Sequence, residues 1–192
     1  MREIFDDVNE TEEADETEVE RSEITECESE KKTDLHFAST YQLKPNEQYE
    51  VNHYNYETDR YGRIKRCEGT LRLEDGKRNL DHQAKAGGEY RMETDEGGHL
   101  IATRFGGSEK IDNIVPMDIH VNRAEYKVIE NEWASELKKG NQVDVKVSCK
   151  YEESSARPTA FVVKYRVTEQ DGSTRIEMKT IENTKHGGKS DE

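Results

Sequence analysis

The sequence has little to build a core from. Only 31% of its 192 residues are apolar and 7% are aromatic. No apolar run reaches the roughly 18 residues a transmembrane helix needs, so membrane insertion is not expected. The first residues, MREIFDDVNETEEADE, contain no apolar stretch behind Met1 and Arg2. That excludes a secretory signal peptide and leaves a cytoplasmic location, or export by a route that uses none. Cysteine is scarce: Cys27, Cys67 and Cys149 lie far apart and form no CxxC. A disulfide framework or a zinc site is therefore not expected, and a reduced compartment fits. Neither GxGxxG nor GxxxxGK(S/T) occurs, so the glycine pairs at 87–88, 97–98 and 106–107 read as turns rather than phosphate cradles. No internal repeat is present.

Charge is abundant and unevenly placed. The chain carries 43 acidic and 29 basic residues, for a net charge of −14. Residues 1–34 hold 15 acidic and 4 basic residues, whereas residues 35–192 hold 28 and 25. The first segment reads as an acidic, disordered leader, because Ile4, Phe5, Val8, Val19 and Ile24 are too sparse to form a core. One domain is expected over 35–183 and a frayed tail over 184–192. An acidic balance ordinarily argues against a polyanionic partner, but here most of the excess sits in the leader.

Periodicity gives a coarse map. Gln48–Glu57 alternates through Tyr49, Val51 and His53 and predicts a strand, as does Arg63–Leu73. Lys77–Ala86 predicts a short helix stopped by Gly87-Gly88. His99–Phe105 predicts a strand, and Ile111–Val115 its return, ended by Pro116. Asn122–Lys139 predicts a helix: Tyr126, Ile129, Trp133 and Leu137 form an apolar stripe and Gly140 follows as a stop. Val143 to Cys149 and Phe161 to Val167 alternate as strands. Residues 170–173 turn the chain, and Arg175–Ile181 predicts a last strand. Trp133 belongs to the core stripe.

Among the six histidines, His99 stands out by its setting, after Asp-Glu-Gly-Gly and before a hairpin and a helix. An imidazole can serve as a general base near pH 7. On the helix, Asn122, Tyr126 and Glu130 are four residues apart, each step turning ~40°, so they fall along one flank. An amide oxygen at Asn122 suits Mg²⁺, which keeps most of its waters. A base and a hydrated Mg²⁺ together suit phosphodiester hydrolysis. By spacing alone the simpler account is that Asn122 caps the helix and Glu130 lies on a solvated face.

The stretch DEGGHLIATRFGGSEKIDNIVPMDIHVNRAEYKVIENEW, residues 95–133, resembles the core of the DNA/RNA non-specific endonuclease family. The likeness runs from Tyr49 to Tyr165 and is greatest to the branch found in bacterial polymorphic toxins, where Gly-Gly-His-Leu-Ile replaces the older Asp-Arg-Gly-His signature. It implies an α+β fold, a mixed or antiparallel sheet with a ββα-metal (His-Me finger) core. It also implies a nuclease that hydrolyses DNA or RNA with Mg²⁺, for which Mn²⁺ can substitute. By resemblance His99 is the general base and Asn122 the metal ligand. Glu130 holds the metal's water shell, Asn113 fixes the hairpin near the histidine, and Glu96 stands where the family usually has Asp. Gly97, Met117 and Ala134 replace an arginine, a glutamine and a second arginine of the older pattern. Arg66, Arg78 and Arg104 are the candidate replacements, with Arg104 preferred as a strand neighbour of His99. The resemblance further implies the effector of a toxin–immunity system with a cognate immunity protein. The alternative is a weak or silent nucleic-acid-binding module, or a nuclease inhibited by its own acidic leader.

Overall fold

The computed structural model describes residues 34–184; the expected leader and tail fall outside them but for residues 34 and 184. The chain divides into two units, Met1–Leu35 and His36–Glu192, and the second is described below. Strands β1 (Phe37–Ser39) and β2 (Gln42–Leu43) form a small hairpin. Strands β3 (Gln48–Val51), β4 (Tyr54–Thr58) and β5 (Ile64–Thr70) follow as a meander. Helix α1 (Leu80–Lys85) is capped by the Asn79 side chain. Strands β6 (Asp95–His99) and β7 (Ile114–Asp118) pair antiparallel, and helix α2 (Tyr126–Lys138) comes next. Strands β8 (Gln142–Tyr151), β9 (Pro158–Thr168) and β10 (Thr174–Glu182) close the fold. Six strands form one antiparallel sheet in the order β10-β9-β8-β5-β4-β3.

The alternation in β8 and β9 puts Val143, Val145, Val147 and Cys149 beside Phe161, Val163, Tyr165 and Val167 on one face. Helix α2 lays its stripe on that face. Trp133 is fully buried, its ring edge-on to Tyr165 at 5.8 Å and to Phe105 at 6.1 Å. Such edge-to-face pairs add to the burial of the rings themselves. Gly140, at φ 84°, ends the helix as its sequence position suggested. Cys67 and Cys149 are free and buried.

Several expected boundaries move. The single strand expected over Gln48–Glu57 is a hairpin, because Asn52 and His53 both take positive φ (52° and 67°) and turn the chain in two residues. His53 continued the alternation by accident of composition. The strand expected over His99–Phe105 instead ends at His99, and Thr103–Phe105 is a 3₁₀ turn. Pro116 does not end β7 but lies within it, opposite Gly97. Its carbonyl accepts from Asn183 Nδ2 at 3.0 Å, on the side away from β6. Backbone N and O of one strand residue share a side, so the missing N–H costs no bond to β6. The predicted helix begins with a π-helical turn, Val121–Glu125, before the α-helix proper. Tyr126 therefore leaves the flank assigned to it. It is buried, and its hydroxyl donates to Leu100 O at 2.8 Å.

Two side chains far along the sequence fasten the β6–β7 hairpin to the sheet. Arg157 Nε and Nη2 donate to the two oxygens of buried Asp95 at 2.7 and 2.8 Å, and Nη1 to Asn183 O at 2.7 Å. Asn183 accepts from Asp118 N at 2.8 Å and donates to the carbonyls of Pro116 and Pro158. Every polar group of this buried cluster therefore has a partner, as buried charge requires.

Candidate active site

His99 closes β6 at the mouth of a cavity of about 600 Å³, lined by Glu96, Asn122, Arg104 and Glu130 among others. The hairpin, its loop, and α2 with the π-helical turn before it thus bring five of the six residues picked from sequence to one cavity, all but Asn113. Gly97 and Gly98 serve packing rather than turning, since neither has positive φ. A Cβ on Gly97 would lie 2.4 Å from Gln83 O, so only glycine lets α1 rest on β6. Gln83 Nε2 donates to Gly97 O at 3.1 Å and completes that contact.

The imidazole of His99 is largely enclosed, and its Nε2 is buried without a hydrogen-bond partner. Burial first, and the positive charge of Arg78 second, push its pKa down to about 4. His99 is therefore neutral near pH 7 and able to accept a proton.

Asn113 is fully buried. Its Nδ2 donates to Ile101 O and Ser108 O at 2.7 and 2.8 Å, and its Oδ1 accepts from Ile101 N at 2.9 Å. Its carbonyl accepts from Leu100 N at 3.0 Å. It therefore pins the chain directly after His99. Tyr54 and Tyr126 add to this by donating to Phe105 O and Leu100 O.

Asn122 sits in the π-helical turn, a local irregularity that often marks functional positions. Its Nδ2 donates to Glu96 at 2.8 Å, which leaves Oδ1 as the amide's uncommitted end. Glu96 also pairs with Arg123, and that bond, ahead of the one from Asn122, holds its pKa below the usual carboxylate range. Glu130 is 9% exposed and accepts from Lys127 at 3.1 Å and from Arg104 at 3.5 Å. Among the described residues no cluster of three or more His, Cys, Asp or Glu occurs. The donor set at Asn122 is a neutral amide oxygen with carboxylates nearby. It fits a hard divalent ion that takes few protein ligands and keeps its waters.

The cations are the part that sequence spacing resolved least. Arg104 is not on the strand of His99 but on the 3₁₀ turn beyond it, with Nη2 also bonded to Asn131 Oδ1 at 3.1 Å. Arg66 pairs with Glu57 at 2.9 Å and lines a separate hollow beside Tyr49 and Glu68. Arg78 does line the cavity, and no ion pair is recorded for it among the described residues. Its loop lies on the backbone of Thr103, where a Cβ on Gly76 would come within 2.2 Å of the carbonyl oxygen. Arg91, Arg123 and Lys127 were not anticipated. Arg91 bonds the carbonyls of Gln83 and Asp95, while Arg123 follows Asn122 directly in sequence, the one signal available beforehand. Five cations thus face the carboxylates of Glu96 and Glu130 in a chain of net charge −14. A cavity of this sign attracts phosphate and can clamp it bidentately.

A family profile described as DNA/RNA non-specific endonuclease matches residues 45–169. Type VII secretion system protein EssD of Staphylococcus aureus (strains USA300 and NCTC 8325 / PS 47) is 40% identical over 142 residues, covering 70% of this chain. The chain spans 23% of that relative's length. Among solved structures, Sda1 nuclease with a bound zinc ion superposes with TM-score 0.54 at 17% identity, over 70% of this chain and 75% of that one. EndoG in its complex with EndoGI superposes with TM-score 0.55 at 15% identity, over 71% and 74%. These two likenesses show the fold, an α+β arrangement of the ββα-metal type. With residues 45–169 matched and the hairpin–helix unit in place around His99, the chain belongs to the DNA/RNA non-specific endonuclease family.

Proposed function

We propose that this nuclease is Mg²⁺-dependent and sequence-tolerant, with His99 as the general base. The observation that carries the reading is a neutral, enclosed imidazole sharing one cavity with Asn122 and five cations. His99 takes a proton from the attacking water as that water approaches phosphorus. Asn122, oriented by Glu96, would hold the metal through Oδ1, and Glu130 would receive hydrogen bonds from the metal's waters. A bound Mg²⁺ supplies charge stabilisation at the phosphate and the departing 3′ oxygen; Mn²⁺ can substitute. Arg78 is the cation left free to engage a phosphate oxygen, while Arg104 steadies Glu130. The products carry 5′-phosphate and 3′-hydroxyl ends, and the substrate is DNA, RNA or both.

The 40% identity to EssD, a type VII secretion system protein, supports an exported toxic effector with a cognate immunity protein. Among the described residues no helix is long and apolar enough to cross a membrane. The test is digestion of plasmid DNA and of RNA by the full chain. Cleavage with Mg²⁺ is expected, with loss in EDTA and a fall of about 10²-fold or more in His99→Ala. Full activity in that variant removes His99 from the role. Activity surviving EDTA removes the metal.

A further inference from the structure

The loop that carries the site is braced from behind by a residue outside the segment the family profile matches. His36 precedes β1 and is 4% exposed; its Nε2 lies 3.0 Å from Oδ2 of Asp112, itself 2% exposed. A carboxylate only accepts, so the imidazole N–H donates. The other oxygen of Asp112 accepts from Ser108 Oγ at 2.5 Å. The His36 ring stacks on Tyr49 at 3.9 Å with 7° between planes, and the Tyr49 hydroxyl donates to Asp112 O at 2.9 Å. Asp112 is thus held through both side-chain oxygens and its carbonyl. The next residue is Asn113, whose side chain and carbonyl pin Leu100 and Ile101, directly after His99.

A run of two buried, hydrogen-bonded residues therefore connects His36 to the backbone directly after the base. The profile match begins at residue 45, so the braced loop lies inside the matched segment and the brace outside it. We propose that His36 is a positioning residue for His99, acting through Asp112 and Asn113. It rests on His99 being the base. Loss of the brace frees the loop over residues 106–113, and small displacements of a base relative to its substrate are costly in turnover. The bond, more than the stacking, carries the effect, because among the described residues it alone satisfies Oδ2 of Asp112.

The experiment uses the full chain with Mg²⁺ and plasmid DNA, together with hydrogen exchange. In His36→Ala, kcat falls about tenfold or more while KM stays within about twofold. The amides of Leu100 and Ile101 lose protection, whereas those of β8 and β9 keep theirs. In His36→Gln, whose amide reaches the same place as Nε2, both kcat and protection stay near wild type. Should the alanine variant fail to fold, His36→Asn, too short to reach Asp112, takes its place. The proposal is overturned by an unchanged kcat in the folded alanine or asparagine variant. It is also overturned by a glutamine variant as impaired as the alanine one, or by protection lost equally across the large sheet. If wild type cleaves nothing, the nuclease chemistry proposed above fails instead, and the exchange data still decide the brace.

Discussion

Acidification should destabilise this protein through His99 in a window that opens above the range in which carboxylates ordinarily titrate. The pKa of His99 falls from 6.5 to about 4 on folding, chiefly by burial and then by the charge of Arg78. The unfolded chain therefore binds a proton that the folded chain refuses. The stability is complete above about pH 6.5 and is lost as pH falls through about 4. One pH unit is worth about 1.4 kcal/mol per proton. The loss is roughly 1.4 kcal/mol at pH 5.5 and about 2.5 kcal/mol at pH 4.5. Urea midpoints of wild type and His99→Gln, measured from pH 7.5 to 4.5, isolate it, because the other titrations cancel in the difference. The two curves should separate progressively below pH 6.5. The acid limb of kcat/KM, which reports the free enzyme, should lie near pH 4 rather than 6.5. Parallel stability curves, or an acid limb at 6.5 or above, would refute the enclosed, uncharged imidazole and with it the electrostatic role of Arg78.

Two further outcomes follow from the cations. Arg78→Ala should lower kcat by about 10²-fold, whereas Arg66→Ala, outside the cavity, should change it less than about twofold; steady-state cleavage with Mg²⁺ compares them. Arg157→Ala leaves Asp95 buried without its partner and should cost roughly 3–5 kcal/mol by urea unfolding. The double variant Arg157→Met, Asp95→Asn should recover part of that loss.

Residue patterns that are local in the chain were legible beforehand, and contacts between distant segments were not. The α2 stripe, its glycine stop and the alternation of β8 and β9 depend on a few consecutive side chains, and the structure keeps them. His99, Asn122 and Glu130 stood out because one hairpin and one helix carry them. The break at Asn52-His53 was hidden because the alternation ran on through His53, although Asn and His are among the residues that tolerate positive φ best. Gly97-Gly98 read as a turn because the close approach of α1, which demands glycine there, comes from elsewhere in the sequence. Arg78 was among the candidates, but Arg91 and Lys127 were not, since nothing near them in sequence announces the cavity they line. Arg157 carries no such signal, since nothing near it in sequence announces Asp95.

The Arg157 and Asn183 anchors set an order of events. The hairpin bearing His99 leaves the ribosome before the segments that anchor it, and its carboxylate at Asp95 has no counter-ion until Arg157 emerges, 62 residues later. Asp118 finds its Asn183 partner 65 residues on. Docking the hairpin before then would bury an unpaired charge, so the sheet has to be nearly complete first. The chain thus makes the pieces of its candidate site before their anchors and assembles them last. Nascent chains halted before β10 should be inert toward nucleic acid, which gives a cell making this nuclease a short interval in which the enzyme exists but cannot yet cut.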